Sequence, residues 1–388
     1  ILETKELYYR LLVGLALGYT FVRASLGFAG AINKLSRTGT SITASSLMIM
    51  FLVTSLITAS FIYGHETDYA LKIYPINFGL LIGGLMFGLG MAFASCCATG
   101  SLMDLSTGFY KALIAVFFLC FGVFMGYSAQ VSTEFVKNSY ITSQTGSSFQ
   151  GGVFLPDLFL FDGFNGYLGA IILTTLLTLL FIYLARNYEK KYYEKNAKPR
   201  NNLNDEEEYS LFDIIFVKPW KMSVSIVVIS LLFGMLLFLY EKGWSASGAF
   251  GFWFAKLLML FGISAQTLAE FTHKDVEFFT LPFLQHDVSI QNIALIFGAY
   301  LYFILAGKFK ASNTYKFNIT KKDFFVYAFG AFIMGYGTRL SNGCNVGALY
   351  TPIAEFSLSG WLYLVSVIVG GLFGNHILKT YINKTCTV

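Results

Sequence analysis

Gly335-Tyr-Gly-Thr-Arg-Leu-Ser-Asn-Gly-Cys344-Asn345-Val-Gly347-Ala-Leu349 has the spacing Gly-x-Gly-x6-Cys-x2-Gly-x-Leu. The same spacing stands 247 residues earlier, in Gly88-Leu-Gly-Met-Ala-Phe-Ala-Ser-Cys96-Cys97-Ala-Thr-Gly100-Ser-Leu102. At that constant offset the two stretches share Gly88/Gly335, Gly90/Gly337, Cys97/Cys344, Gly100/Gly347 and Leu102/Leu349, five identities in fifteen positions. With five residues inserted in the second copy the match continues to Gly108/Gly360 and Gly122/Gly374. The chain reads as a duplication with one cysteine at the same place in each half.

Both copies end a long apolar run. Of 388 residues 55% are hydrophobic and 13% charged, against about 25% charged in a soluble chain. Apolar stretches recur at the length, about 20 residues, that crosses a hydrocarbon core. The fold class expected is an all-α polytopic membrane protein. A net charge of +5, clustered in loops, points to membrane orientation rather than nucleic-acid binding. The spans expected are residues 11–33, 44–63, 78–95, 111–127, 166–185, 222–240, 288–306, 324–341 and 361–378, nine in all. The first is read as a span and not a cleavable signal, since no cleavage pattern follows it. Residues 250–264 are too short to cross and read as a re-entrant half-helix.

Residues 186–221 carry Lys190, Lys191, Lys195, Lys198 and Arg200, then Asp205 to Glu208, and are expected to be a soluble linker. Repeats over 1–185 and 222–388 flank it. The positive-inside rule places this linker and the Lys308–Lys322 loop in the cytoplasm. Counting spans then puts the N-terminus outside, the C-terminus inside, the first motif toward the cytoplasm and the second toward the exterior. That is an inverted-topology repeat, an arrangement that sets a site between interrupted helices.

A helix that restarts after a break offers unpaired N–H groups and the positive end of its dipole, where an anion fits. Arg339, just before Cys344, and Arg23 in the first span add positive charge where it is costly, so an anion path is the functional reading. Cys97 and Cys344 supply polarizable sulfur and weak S–H donors suited to an anion with a terminal sulfur. Cys96 is the alternative to Cys97. Asn345, Gly100 and Gly347 complete the candidate site. Cys120 reads as a packing residue and Cys386 as incidental. Asp104 and Glu355, close to the breaks, read as helix N-caps. A metal centre is poorly served by four scattered histidines without a Cys-x-x-Cys pair. A membrane sulfurtransferase holding a persulfide on Cys344 or Cys97 stays open. No phosphate-binding Gly-x4-Gly-Lys-Ser/Thr motif occurs, so a gradient or consumption inside is the expected energy source. No cofactor is expected.

The paired motifs, together with Arg23-Ala-Ser-Leu-Gly-Phe-Ala-Gly30, resemble the YeeE/YedE family of sulfur transport membrane proteins, sometimes described as thiosulfate transporters. The resemblance extends over essentially the whole chain. It implies an inner-membrane protein of nine spans plus short half-helices, which passes thiosulfate along cysteine thiols that hydrogen-bond it in succession. Cys97 and Cys344 fall on the relay positions. Family members often carry a further cysteine in the first hairpin, and residues 23–31 here contain none. Some relatives are linked to selenium, so a selenium or other sulfur species is the second substrate class. A soluble sulfur-carrier protein is a candidate partner for the 186–221 linker.

Overall fold

The computed structural model describes residues 4–196, 216–307 and 319–382, and in these every regular element is helical. The order is α1 (Lys5–Arg23), α2 (Phe28–Thr38), α3 (Ile42–Ile62), α4 (Phe78–Ala94), α5 (Ala98–Asp104), α6 (Phe109–Ser132), α7 (Tyr167–Asn196), α8 (Met222–Tyr240), α9 (Ser247–Leu260), α10 (Asp287–Leu305), α11 (Lys321–Leu340), a π turn (Asn345–Tyr350) and α12 (Leu358–Ile377).

Among the described residues eight helical stretches are long and apolar enough to cross a membrane. The eighth expected span, residues 324–341, is α11; it is 20 residues long but has Lys321, Lys322, Asp323 and Arg339 near its ends, so its composition falls short. It packs between α4 and α6, with Arg339 buried against Ser247 and Tyr127 and with Lys321 and Lys322 left exposed. The first expected span is two helices broken at residues 24–27, with Ser25 at positive φ. The short helix expected near 250–264 is α9, of 14 residues. Helix α7 runs eleven residues beyond the expected start of the linker at 186, and the acidic run at 205–208 lies outside the described residues. On this helix Leu168, Ile172, Leu176, Leu179 and Leu180 are all exposed, as an apolar helix facing lipid would leave them.

Packing partners come in interchangeable pairs. Helices α4 and α11 pack on each other, as do α1 and α8. Around them α4 meets α12 as α11 meets α6, α1 meets α10 as α8 meets α3, and α2 meets α12 as α9 meets α6. The matched glycines make these seams. A methyl on Gly88 would strike Val367 and Gly371 on α12, and one on Gly335 would strike Leu119 and Val123 on α6. Gly90 lies against Gly330 and Met334 of α11, and Gly337 against Gly83 and Phe87 of α4. Such small residues let backbones meet where lipid gives no hydrophobic drive. The helices run straight through these glycines. The turns after them fall to Ser95 (φ 55°) and Asn342 (φ 61°), equivalent residues at the 247 offset.

Candidate functional site

Each break ends in a cysteine from which the chain becomes helical again. Cys97 is the N-cap of α5, and its Sγ accepts from the Gly100 N–H at 3.2 Å, with Thr99 Oγ1 at 3.4 Å. The Ala29 backbone N–H, in the first turn of α2, also points at this sulfur. Two helix starts therefore converge on Cys97, the arrangement of unpaired donors that attracts an anion. Gly100 keeps the place open, since a Cβ there would stand 3.2 Å from Sγ and 3.8 Å from Cys96 Cβ.

Cys344 precedes the π turn Asn345–Tyr350. The start of α9 comes to this second break as α2 comes to the first. Arg339 donates to Ser247 Oγ at 2.9 Å and lies over the Tyr127 ring, 5.1 Å from its centroid. Gly347 faces the same helix start, an added Cβ lying 3.6 Å from Ser245 Oγ and 4.0 Å from Ser247 Oγ. Arg339, Ser245, Ser247 and Gly347 thus form one polar, cationic group beside Cys344.

The two cysteines lie within electrostatic reach of each other, and the Tyr363 ring feels both. The buried Tyr363 hydroxyl lies beside Ser341. Cys97 and Cys344 are each 1% exposed, and all four described cysteines are free thiols. At that exposure both thiols are occluded.

Cys96 interacts instead with Asp104 at the far end of α5 and Lys111 in the first turn of α6, and Cys97 is the residue with electrostatic contact to Cys344. Asn345 Nδ2 donates to Met91 Sδ at 3.3 Å, while its Oδ1 is buried without a partner among the described residues. Arg23 stands apart from this group. Its Nε donates to the Lys218 carbonyl at 2.9 Å, Nη1 to Tyr19 at 3.0 Å, and Trp220 covers its face at 4.5 Å. The N-cap readings of Asp104 and Glu355 are corrected: Asp104 ends α5, and Glu355 follows the short helix Thr351–Ala354, both at C-terminal ends. Cys386 lies outside the described residues.

Beside the second break a cavity of about 370 Å³ is lined by Arg10, Lys72, Lys242, Gly243, Ser245 and Asp287, among others. It draws together loops distant in sequence, and Ser245 joins it to the Gly347 face. Sequence reasoning missed Lys72, Ser245 and Ser247, which reach the site from segments without a repeated pattern, and Tyr363, which stands in an apolar helix where a tyrosine carries no signal.

Over 361 residues the chain is 22% identical to the thiosulfate transporter TsuA of Escherichia coli, covering 93% of this chain and 91% of that protein. It is 28% identical over 133 residues to the probable transporter YedE of E. coli, and 24% over 160 residues to that of Salmonella typhimurium. Those two matches take in 34% and 41% of this chain and span 31% and 38% of the YedE proteins. The model of the sulphur transport family matches residues 23–373, from the end of α1 into α12, and the chain belongs to that family.

Proposed function

We propose that this chain carries thiosulfate, or a closely related anion with a terminal sulfur, across the membrane, with Cys344 and Cys97 as successive thiol stations. The observation that carries the reading is the pairing itself: two buried free thiols at equivalent breaks, each where helix starts converge, within electrostatic reach of one another. Helix-start N–H groups bind the oxyanion end, and the thiols offer weak S–H donors to it in turn. Arg339 and the Arg10–Lys72–Lys242 cavity draw the anion to the Cys344 side.

The same reading takes residues 1–185 and 222–388 as inverted repeats around a linker at 186–221. Interchange of packing partners and the matched positive-φ residues Ser95 and Asn342 support it. The cavity collects residues from the loops around 70–74, 149–150 and 242–245 and from the start of α10, all on the side that the charge count puts outside. Uptake accordingly runs inward across a prokaryotic inner membrane, with the N-terminus outside and the C-terminus in the cytoplasm. A soluble sulfur carrier docking on the linker is part of this proposal.

The test is uptake into proteoliposomes of thiosulfate labelled at its outer sulfur. The reading expects accumulation that unlabelled thiosulfate competes away and sulfate does not. No accumulation, together with a persulfide mass shift on Cys97 or Cys344, contradicts it and favours a membrane sulfurtransferase.

A further inference from the structure

Glu355 is a carboxylate with no exposure, placed just after the second broken segment. One oxygen, Oε2, accepts the Lys72 backbone N–H at 2.5 Å. The other, Oε1, has no hydrogen-bond partner among the described residues. It faces Gly243, where a Cβ would strike it, so the residue that fits against this oxygen is one without a side chain. The Lys72 ammonium, in reach of the carboxylate's field, turns instead to the Trp244 carbonyl, 2.6 Å away, which Thr351 Oγ1 also approaches at 2.6 Å. Lys72 lines the cavity with Arg10 and Lys242, and the carboxylate therefore sits directly behind the cationic wall that an entering anion meets.

A buried carboxylate with one oxygen unpaired is costly while charged and cheap once protonated. Burial pushes Glu355 up to about 7 against the opposing pull of Lys72, and burial draws Lys72 down while Glu355 opposes. An anion brought to Lys72 adds a second negative charge beside the carboxylate and favours its proton. Linkage makes the effect reciprocal, so a proton on Glu355 favours the anion.

The other charged and titratable groups around it are accounted for. Arg10 is paired with Asp287 at 3.1 Å. His286 Nδ1 accepts from the Ser289 N–H at 3.1 Å, and burial, the larger influence, draws its protonation down. Tyr74 faces Glu355, Arg339 and Cys344 and is pushed up by burial, away from neutral pH. Lys242 is exposed.

We infer that Glu355 is a proton-binding site behind the Arg10–Lys72–Lys242 cavity, which takes up a proton as the anion binds and so couples anion entry to protons. The inference rests on the thiosulfate reading above. Its test is calorimetric titration of the purified full chain with thiosulfate from pH 5.5 to 8.5, in buffers of different ionisation enthalpy. Affinity is expected to fall about tenfold per pH unit above the carboxyl's midpoint, with about one proton taken up per anion there, the slope of a single linked group. Glu355→Gln is expected to bind thiosulfate with the wild type's acid-limit affinity at every pH and to take up no proton. Glu355→Asp, which keeps the acid, is expected to keep the linkage with a displaced midpoint, and His286→Asn to leave the wild-type profile in place. Binding by the wild type that does not vary with pH, or an unchanged profile in Glu355→Gln, overturns the inference. Should Glu355→Gln fail to fold, the wild-type proton count and the Glu355→Asp midpoint decide it. Absence of thiosulfate binding at every pH overturns the transport reading as well, whereas binding without proton uptake overturns this inference alone.

Discussion

Gly100→Ala separates the site from the fold, because its single new methyl points at the sulfur of Cys97. The Cβ would stand 3.2 Å from Sγ and 3.8 Å from Cys96 Cβ, with no backbone atom of another helix in the way. Relief of the first contact needs the sulfur to yield by a few tenths of an ångström, which weakens the 3.2 Å bond from the Gly100 N–H. A neutral hydrogen bond of this kind contributes about 1 kcal/mol, and alanine regains up to about 1 kcal/mol of helix propensity over glycine. The two nearly cancel, so thermal stability is expected to stay within about 1 kcal/mol of wild type. Transport does not cancel. On the proposed reading the methyl takes space the anion needs beside the sulfur, and loss of one hydrogen bond to a charged group, about 1.5–3 kcal/mol, corresponds to about a 10- to 100-fold weaker station. The assay is thermal unfolding paired with proteoliposome uptake of labelled thiosulfate. Wild-type uptake in a stably folded Gly100→Ala protein would refute the placement of the anion beside Cys97.

Other substitutions have different signatures. Arg339→Lys gives up the planar group that bonds Ser247 and covers Tyr127, and thiosulfate affinity measured by calorimetry is expected to fall about tenfold. Gly18→Ala drives a methyl into the Leu295 backbone at the seam of α1 and α10, and a loss of about 1–3 kcal/mol is expected as a lowered unfolding temperature. Arg23→Gln releases the Lys218 carbonyl and the Trp220 face; faster proteolysis near residues 216–220 with unchanged thiosulfate affinity is expected, and a lost affinity would return Arg23 to the path.

Much of the fold was legible because membrane helices announce themselves by length and apolarity, and because the repeat preserved its glycines. Those glycines were legible as important but not in their role. Sequence marked Gly88, Gly90, Gly335 and Gly337 only as matched positions; the structure uses them where helix backbones touch and gives the turns to Ser95 and Asn342. Helix α11 was counted as a span from its apolar centre; its Arg339 is met by Ser247 and the Tyr127 ring, information no window of its own sequence contains, while Lys321 and Lys322 stay exposed. Within the site the cysteines and Arg339 stood out by type and spacing. Ser245 and Ser247 did not, since a serine before a short helix reads as an ordinary start signal until Arg339 and Gly347 are seen against it. Arg23 shows the reverse case, a costly charge in an apolar run that is satisfied by a carbonyl, a tyrosine and a tryptophan face. Glu355 lay close to the motif and was read as a cap, because only the folded chain shows one of its oxygens facing Gly243.

The thiol relay is tested most directly by proteoliposome uptake of outer-sulfur-labelled thiosulfate in wild type, Cys97→Ala and Cys344→Ala, with equal amounts of folded protein. Alanine fills most of the space of a buried cysteine, so both variants should fold while lacking the S–H donor and the sulfur. The account predicts that each single substitution abolishes uptake and that Cys120→Ala, away from the breaks, does not. Wild-type uptake by either Cys97→Ala or Cys344→Ala would contradict it.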